Sequence, residues 1–239
     1  MRLKALLLLL TGAIALSVSA QAATYETLFA FTGFDYQNPN PTVPSGPDPN
    51  HDAYLAVGEG YKVVGFVTQF GPALTPWVQP TFNEYTTHLF DLNVTGHSYA
   101  GGFFQATFAN GGRGRYYADA LVGGTPAVYG TNPPSPGISP DKFIDGSMRL
   151  GGSVDNFILF YDFNAPGSGN FNGTMNLDEG PDLIYVPLEQ RMGWTLGGLA
   201  GQPNNTVPAG YDNQVSGECK ILSTPVSHKT WGAVKALYR

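Results

Sequence analysis

Two short acidic turns are where the residue types and spacing of this chain come nearest to a binding chemistry. Asp178-Glu179-Gly180-Pro181-Asp182 puts three carboxylates in one turn, and Asp48-Pro49-Asn50-His51-Asp52 joins two carboxylates to an amide and an imidazole. Loop carboxylates and carbonyls are the ligands calcium takes, so Asp178, Glu179, Asp182, Asp48 and Asp52 are the candidate calcium ligands. Solvated turns are the favoured reading, because Asp and Asn settle in turns for local hydrogen-bonding reasons, and no obligatory cofactor is expected. Asp162-Phe163-Asn164 opens like a calcium loop, but Pro166 stands at the third side-chain ligand position and no bidentate Glu follows.

Zinc and nucleophilic chemistry lack their spacings. His51, His88, His97 and His228 make no His-x-x-x-His or Glu-x-x-His pair, and Cys219 is the sole cysteine. His88 and His97 would meet only across a hairpin turning near Val94-Thr95-Gly96. Cys219 reads as a small buried apolar residue rather than a nucleophile. No Gly-x-Ser-x-Gly elbow or Ser-x-x-Lys occurs. Glu84, Asp91, Asp155, Asp162, Glu189 and Glu218 are strand or strand-edge acids, yet a glycan hydrolase needs two facing one groove. Asp155 and Asp162, an odd number of positions apart, fall on opposite faces of a straight strand. No catalytic residue is assigned. Trp77, flanked by Pro76 and Pro80, and the pair Tyr116-Tyr117 are the candidate platform for stacking a sugar ring, with ordinary strand packing as the competing reading.

Short extended elements must position these groups. The chain holds 31 Gly and 19 Pro, and almost no segment sustains apolar residues at helical spacing, which is an all-β pattern. Expected strands cover residues 24–33, 61–70, 84–94, 99–108, 113–121, 147–163, 170–177, 193–199 and 210–222. In the sixth of these, Phe157, Leu159, Tyr161 and Phe163 share one face and Ile158 and Phe160 the other, predicting a central strand covered on both sides. Residues 37–50 and 131–141 are Pro-rich connections that cannot enter a sheet interior, and residues 165–169 read as a hairpin turn. The expected architecture is a single antiparallel β-sandwich of jelly-roll kind over residues 23–223.

Both ends read differently from the body. Residues 1–22 combine Arg2 and Lys4, an apolar run and the small-residue site Ala20-Gln21-Ala22, which is a cleavable signal helix too short to span a bilayer. Losing Arg2 and Lys4 leaves ten basic against eighteen acidic residues, a net charge of −8. Such a balance, without clustered Lys or Arg, excludes nucleic acid as a partner. No later stretch reaches spanning length, so no integral membrane segment is expected after cleavage, and the product is expected in the periplasm, outside the cell or on its surface. Within the tail, 224–239, Ser227 can cap a short amphipathic helix bearing Trp231, Val234 and Leu237, suited to packing on the domain or to a surface or sorting partner.

The stretch from Tyr129-Gly130 through Asn132-Pro133-Pro134, Phe143-Ile144-Asp145-Gly146, Leu150-Gly151-Gly152, Asp155-Asn156-Phe157, Gly193-Trp194-Thr195 and Gly210-Tyr211-Asp212, closing on Trp231-Gly232-Ala233-Val234-Lys235-Ala236-Leu237-Tyr238-Arg239, resembles uncharacterised exported bacterial β-rich proteins. They share a Trp-Gly-x-x-Lys-x-Leu-Tyr-Arg ending. The resemblance covers roughly the C-terminal half and implies a bacterial origin and a recurring terminal segment; it supplies no reaction. The expected function is therefore a non-catalytic exported module with a structural, adhesion or surface-association role. A glycan-binding or glycan-cleaving domain is the alternative, and a small outer-membrane β-barrel the second alternative.

Overall fold

The computed structural model describes residues 24–38, 55–129, 141–165, 168–201, 207–208 and 211–223. The leader, Asp48 and Asp52, and the tail 224–239 lie outside the described residues. Nine strands follow in chain order: β1 (Thr24–Asn38), β2 (Gly60–Phe70), β3 (Asn83–Ala100), β4 (Phe103–Phe108), β5 (Gly112–Ala120), β6 (Ser147–Asp162), β7 (Ser168–Glu179), β8 (Trp194–Ala200) and β9 (Gln214–Ser223). Among the described residues helix is confined to one turn, Asp141–Ile144, and two 3-10 turns, Pro181–Tyr185 and Leu188–Gln190. Among the described residues no helix is long and apolar enough to cross a membrane.

The strands do not form a sandwich. β1 lies between β2 and β9, the order runs on through β8 and β7 to β6, and β6–β5, β5–β3 and β3–β2 pairings complete the circuit. The result is a closed eight-stranded antiparallel barrel with one extra strand, β4. Strand positions were legible because period-2 alternation marks any half-buried strand. The same alternation serves a sandwich and a barrel, and only the β2–β3 and β1–β9 pairings, which remove the free edges, separate them.

β4 and β5 occupy one slot end to end. The long strand β3 pairs through Asn83–Phe90 with β5 and through Val94–Ala100 with β4, and β6 does likewise through Ser147–Val154 and Ile158–Asp162. All three rows are creased at one level. Asp91 and Asn156 take positive φ, 56° and 53°, and the Asp155 carboxylate accepts Gly111 N–H at 3.0 Å while Asn110 Oδ1 accepts Asn156 N–H at 2.8 Å. β3 continues as one strand through Val94-Thr95-Gly96, with a register shift there against β4, so no hairpin brings His88 and His97 together.

Side chains fill the barrel. Phe29, Phe31, Phe104, Tyr116, Phe157, Phe171 and Trp194 are buried with aliphatic neighbours in one continuous core. Eight strands enclose an interior about as wide as such side chains can fill. Gly217 makes room for two of them: a Cβ there would stand 2.7 Å from the Phe31 ring and 2.6 Å from the Phe171 ring. β7 shows the two faces cleanly, with Phe171, Met175 and Leu177 buried and Asn170, Asn172 and Asp178 exposed. β6 has one buried face rather than two: Phe157, Leu159 and Tyr161 are enclosed while Ile158 is 40 % exposed. Outside the wall a second aromatic cluster lays Tyr129, Phe143 and Tyr211 over Phe34, Tyr36, Val64 and Phe66.

Candidate functional site

The carboxylates of the turn after β7 are gathered, but around arginines. Arg113 clasps Asp178 with two hydrogen bonds of 3.0 and 2.8 Å, and Arg115 clasps Glu179 with two of 2.7 and 3.1 Å. Arg113 also reaches Glu179 at 2.6 Å. Arg115, Gly151 and Glu179 stand in register on β5, β6 and β7, so the absent side chain of Gly151 lets the pair close over the middle strand. The bonds from Arg115 hold the Glu179 carboxyl below its ordinary range. Asp182, 2 % exposed, receives Arg149 and the Tyr116 hydroxyl. Among the described residues no three His, Cys, Asp or Glu groups are placed to hold a metal ion.

Two of the three expected platform aromatics face away from solvent: Tyr116 lies wholly in the core and Tyr117 is 7 % exposed. Alternation alone forbade both neighbours from facing outward together. Trp77 is half exposed, and its indole lies flat on Tyr185, with ring centroids 4.1 Å apart and an interplanar angle of 7°. Tyr185 belongs to the β7–β8 connection and was not singled out from the sequence, where nothing marked that 3-10 turn as its partner.

Trp77 belongs to the β2–β3 connection, residues 71–82, a lid only in the sense that it packs on the core. Its Leu74 is fully buried in the core, and Ala73 and Val78 pack against the same core. Bonds from Thr75 N–H to Gly71 O at 2.9 Å and from Val78 N–H to Leu74 O at 3.2 Å make the lid a run of tight turns.

Beside the lid the wall splits. The β2–β3 ladder ends at Phe66↔Thr86, after which Val67–Phe70 stays with β1 and Asn83–Tyr85 stays with β5. The diverging edges leave a cleft of about 460 Å³. Phe66, Val67, Phe70, Val78, Tyr85 and Leu121 supply its apolar walls, and Thr68, Gln69, Asn83 and Glu84 its polar groups. Phe70 and Tyr85 meet edge to face at 4.9 Å, and the Tyr85 hydroxyl accepts Gln79 N–H at 2.8 Å, which joins the lid to the wall. Glu84 Oε1 accepts Ala127 N–H at 2.8 Å and is thereby oriented. An apolar cleft carrying a few placed polar groups, in this size range, is the usual form of a small-ligand site.

Further buried titratable groups lie elsewhere. Asp35, on β1, accepts the hydroxyls of Tyr61 and Tyr161 at 2.9 and 2.8 Å and the backbone N–H of Asn213 at 2.6 Å. Burial and the Asp212 charge push its carboxyl up to about 7 against those bonds. The cluster ties β1, β2 and β6 to the entry of β9. Since Asp35 is 1 % exposed, this carboxyl bears on stability rather than on a substrate. His88, on the outer side of β3, stacks on Phe90 at 4.6 Å; burial, with Lys62 and Arg115 nearby, lowers its imidazole to about 3. Cys219 is buried and its thiol is pushed up by that burial.

Of the groups that sequence spacing selected, the structure thus joins Asp178, Glu179 and Asp182 to arginines and leaves Trp77 at the surface beside an unforeseen cleft. The chain matches no family model, no curated protein and no solved structure.

Proposed function

We propose that this protein is a non-catalytic, exported binding barrel whose ligand site is the cleft between β2 and β3 beside the lid. One observation carries the reading: a wall that is otherwise closed and filled parts at Phe66↔Thr86 into an open cleft of about 460 Å³. In this reading the leader directs export and the tail serves surface association. The acids near the cleft favour binding over hydrolysis, because Glu84 is the carboxylate lining it and glycoside cleavage takes a facing pair.

The outward residues argue against an outer-membrane barrel. A membrane barrel turns an apolar band to the lipid and a polar surface inward. Here β7 turns Asn170, Asn172 and Asp178 outward and Phe171, Met175 and Leu177 inward. We therefore favour a barrel whose wall faces water.

Fragment screening by isotope-edited NMR on the whole mature protein tests the reading. Shift changes gathered at Val67–Phe70, Asn83–Tyr85 and the lid are expected. Fragments that bind only elsewhere would refute it.

A further inference from the structure

The cleft carries polar groups from both strand edges. Gln69 continues β2, and Asn83 and Glu84 open β3. An amide offers two donors and an acceptor, and a carboxylate accepts at several positions. The same cleft is lined by the side chains of Phe66, Phe70 and Val78.

We propose that the cleft binds an uncharged carbohydrate, whose hydroxyls pair with Gln69, Asn83 and Glu84 while a C–H face of the sugar ring rests on the apolar wall. This rests on the cleft being the ligand site. A purely apolar ligand would dry those three groups without replacing their hydrogen bonds, which is costly. An acidic glycan would bring like charge against the Glu84 carboxylate, whose orientation Ala127 N–H already fixes at 2.8 Å, in a chain of net charge −6. A hydroxylated, neutral ring satisfies donors, acceptors and apolar wall together. Trp77, one residue before Val78 and half exposed, offers a further ring face if the ligand extends past the lid.

The test is calorimetric titration of the mature protein with neutral gluco-, manno- and xylo-oligosaccharides and with acidic oligogalacturonate, run beside NMR mapping. Binding of a neutral oligosaccharide that persists at high salt is expected. Asn83→Ala and Glu84→Gln should each weaken it by about ten-fold or more, the loss of a hydrogen bond to or near a charged group. Both variants should keep the parent melting temperature within a few degrees, and Gln69→Ala, at an exposed position, gives a third variant should either misfold. Preference for oligogalacturonate, or binding of extended peptides at the mapped cleft with no sugar bound, would overturn the carbohydrate assignment and leave the cleft standing. Sugar binding that ignores all three variants would remove the cleft itself as the site.

Discussion

The guanidinium of Arg115 passes over Gly151 to grip the Glu179 carboxylate, so an ion pair on two strands is framed by a residue with no side chain on the strand between them. A Cβ at Gly151 would stand 2.7 Å from Glu179 Oε1 and 2.8 Å from Arg115 Cγ. Gly151→Ala should therefore force both partners aside and cost about 1–3 kcal/mol, the range for overpacking. Chemical denaturation measures it; a variant as stable as the parent would show that the wall absorbs the methyl freely.

The neighbouring ion pairs should differ in weight. Arg113–Asp178 is solvent-facing, with Asp178 half exposed, and such pairs contribute about 0–1 kcal/mol. Asp182 is enclosed beneath Arg149 and Tyr116, so Asp182→Ala strands both partners and should cost about 3–5 kcal/mol. Because arginines already occupy these carboxylates, adding calcium or chelating it should leave the melting temperature unchanged. A calcium-induced rise would return the turn after β7 to the list of metal sites.

Two buried groups give opposing pH dependences. Asp35 titrates at about 7 folded against an ordinary 3.8, so its contribution is complete below about 3.8 and is lost as pH rises through 7. His88 titrates at about 3 folded against 6.5, so its contribution is complete above 6.5 and is lost as pH falls toward 3. Between pH 4 and 6.5 the two slopes, each up to about 1.4 kcal/mol per pH unit, offset one another. Asp35→Asn should make stability climb with pH across that window, and His88→Phe should make it fall. Parallel pH profiles for parent and both variants would show that neither side chain is shifted.

The stacked pair Trp77–Tyr185 fastens the lid to the β7–β8 connection. Trp77→Ala should cost about 1–2 kcal/mol, the aromatic contact together with part of its buried area. Amide exchange should accelerate chiefly within residues 72–82, since Leu74 still anchors the lid from below. Uniform acceleration through the barrel would mean that the pair supports the whole fold.

Interior room depends on glycine. Gly217→Ala should push against the Phe31 and Phe171 rings and destabilise by about 1–3 kcal/mol, and Phe31→Leu in the same chain should recover part of the loss. Additive losses in the double-mutant cycle would place the strain elsewhere.

Strand positions were readable because residues such as Phe171, Met175 and Leu177 alternate with Asn170, Asn172 and Asn176, and burial on one face leaves that trace in any sheet. Closure was not readable, since it depends on which distant strands meet, as β1 meets β9, and no local pattern encodes that. The Pro-flanked position of Trp77 agrees with its half-exposed indole. Tyr116 and Tyr117 are both buried, as ordinary strand packing of aromatics allows, and nothing local in the sequence separates that outcome from an exposed platform. The cleft went unforeseen because it comes from a ladder that stops early, at Phe66↔Thr86, and residues 67–70 look in sequence like any strand end. The acidic turn after β7 drew notice for its charge, but its arginine partners stand more than sixty positions away in the case of Arg113 and Arg115.

A barrel packed to its axis with phenylalanine leaves heredity little latitude inside and much at the rim. Residues 71–82 can therefore vary with little consequence for the strands and their inner rings, so long as Leu74 keeps its place in the core.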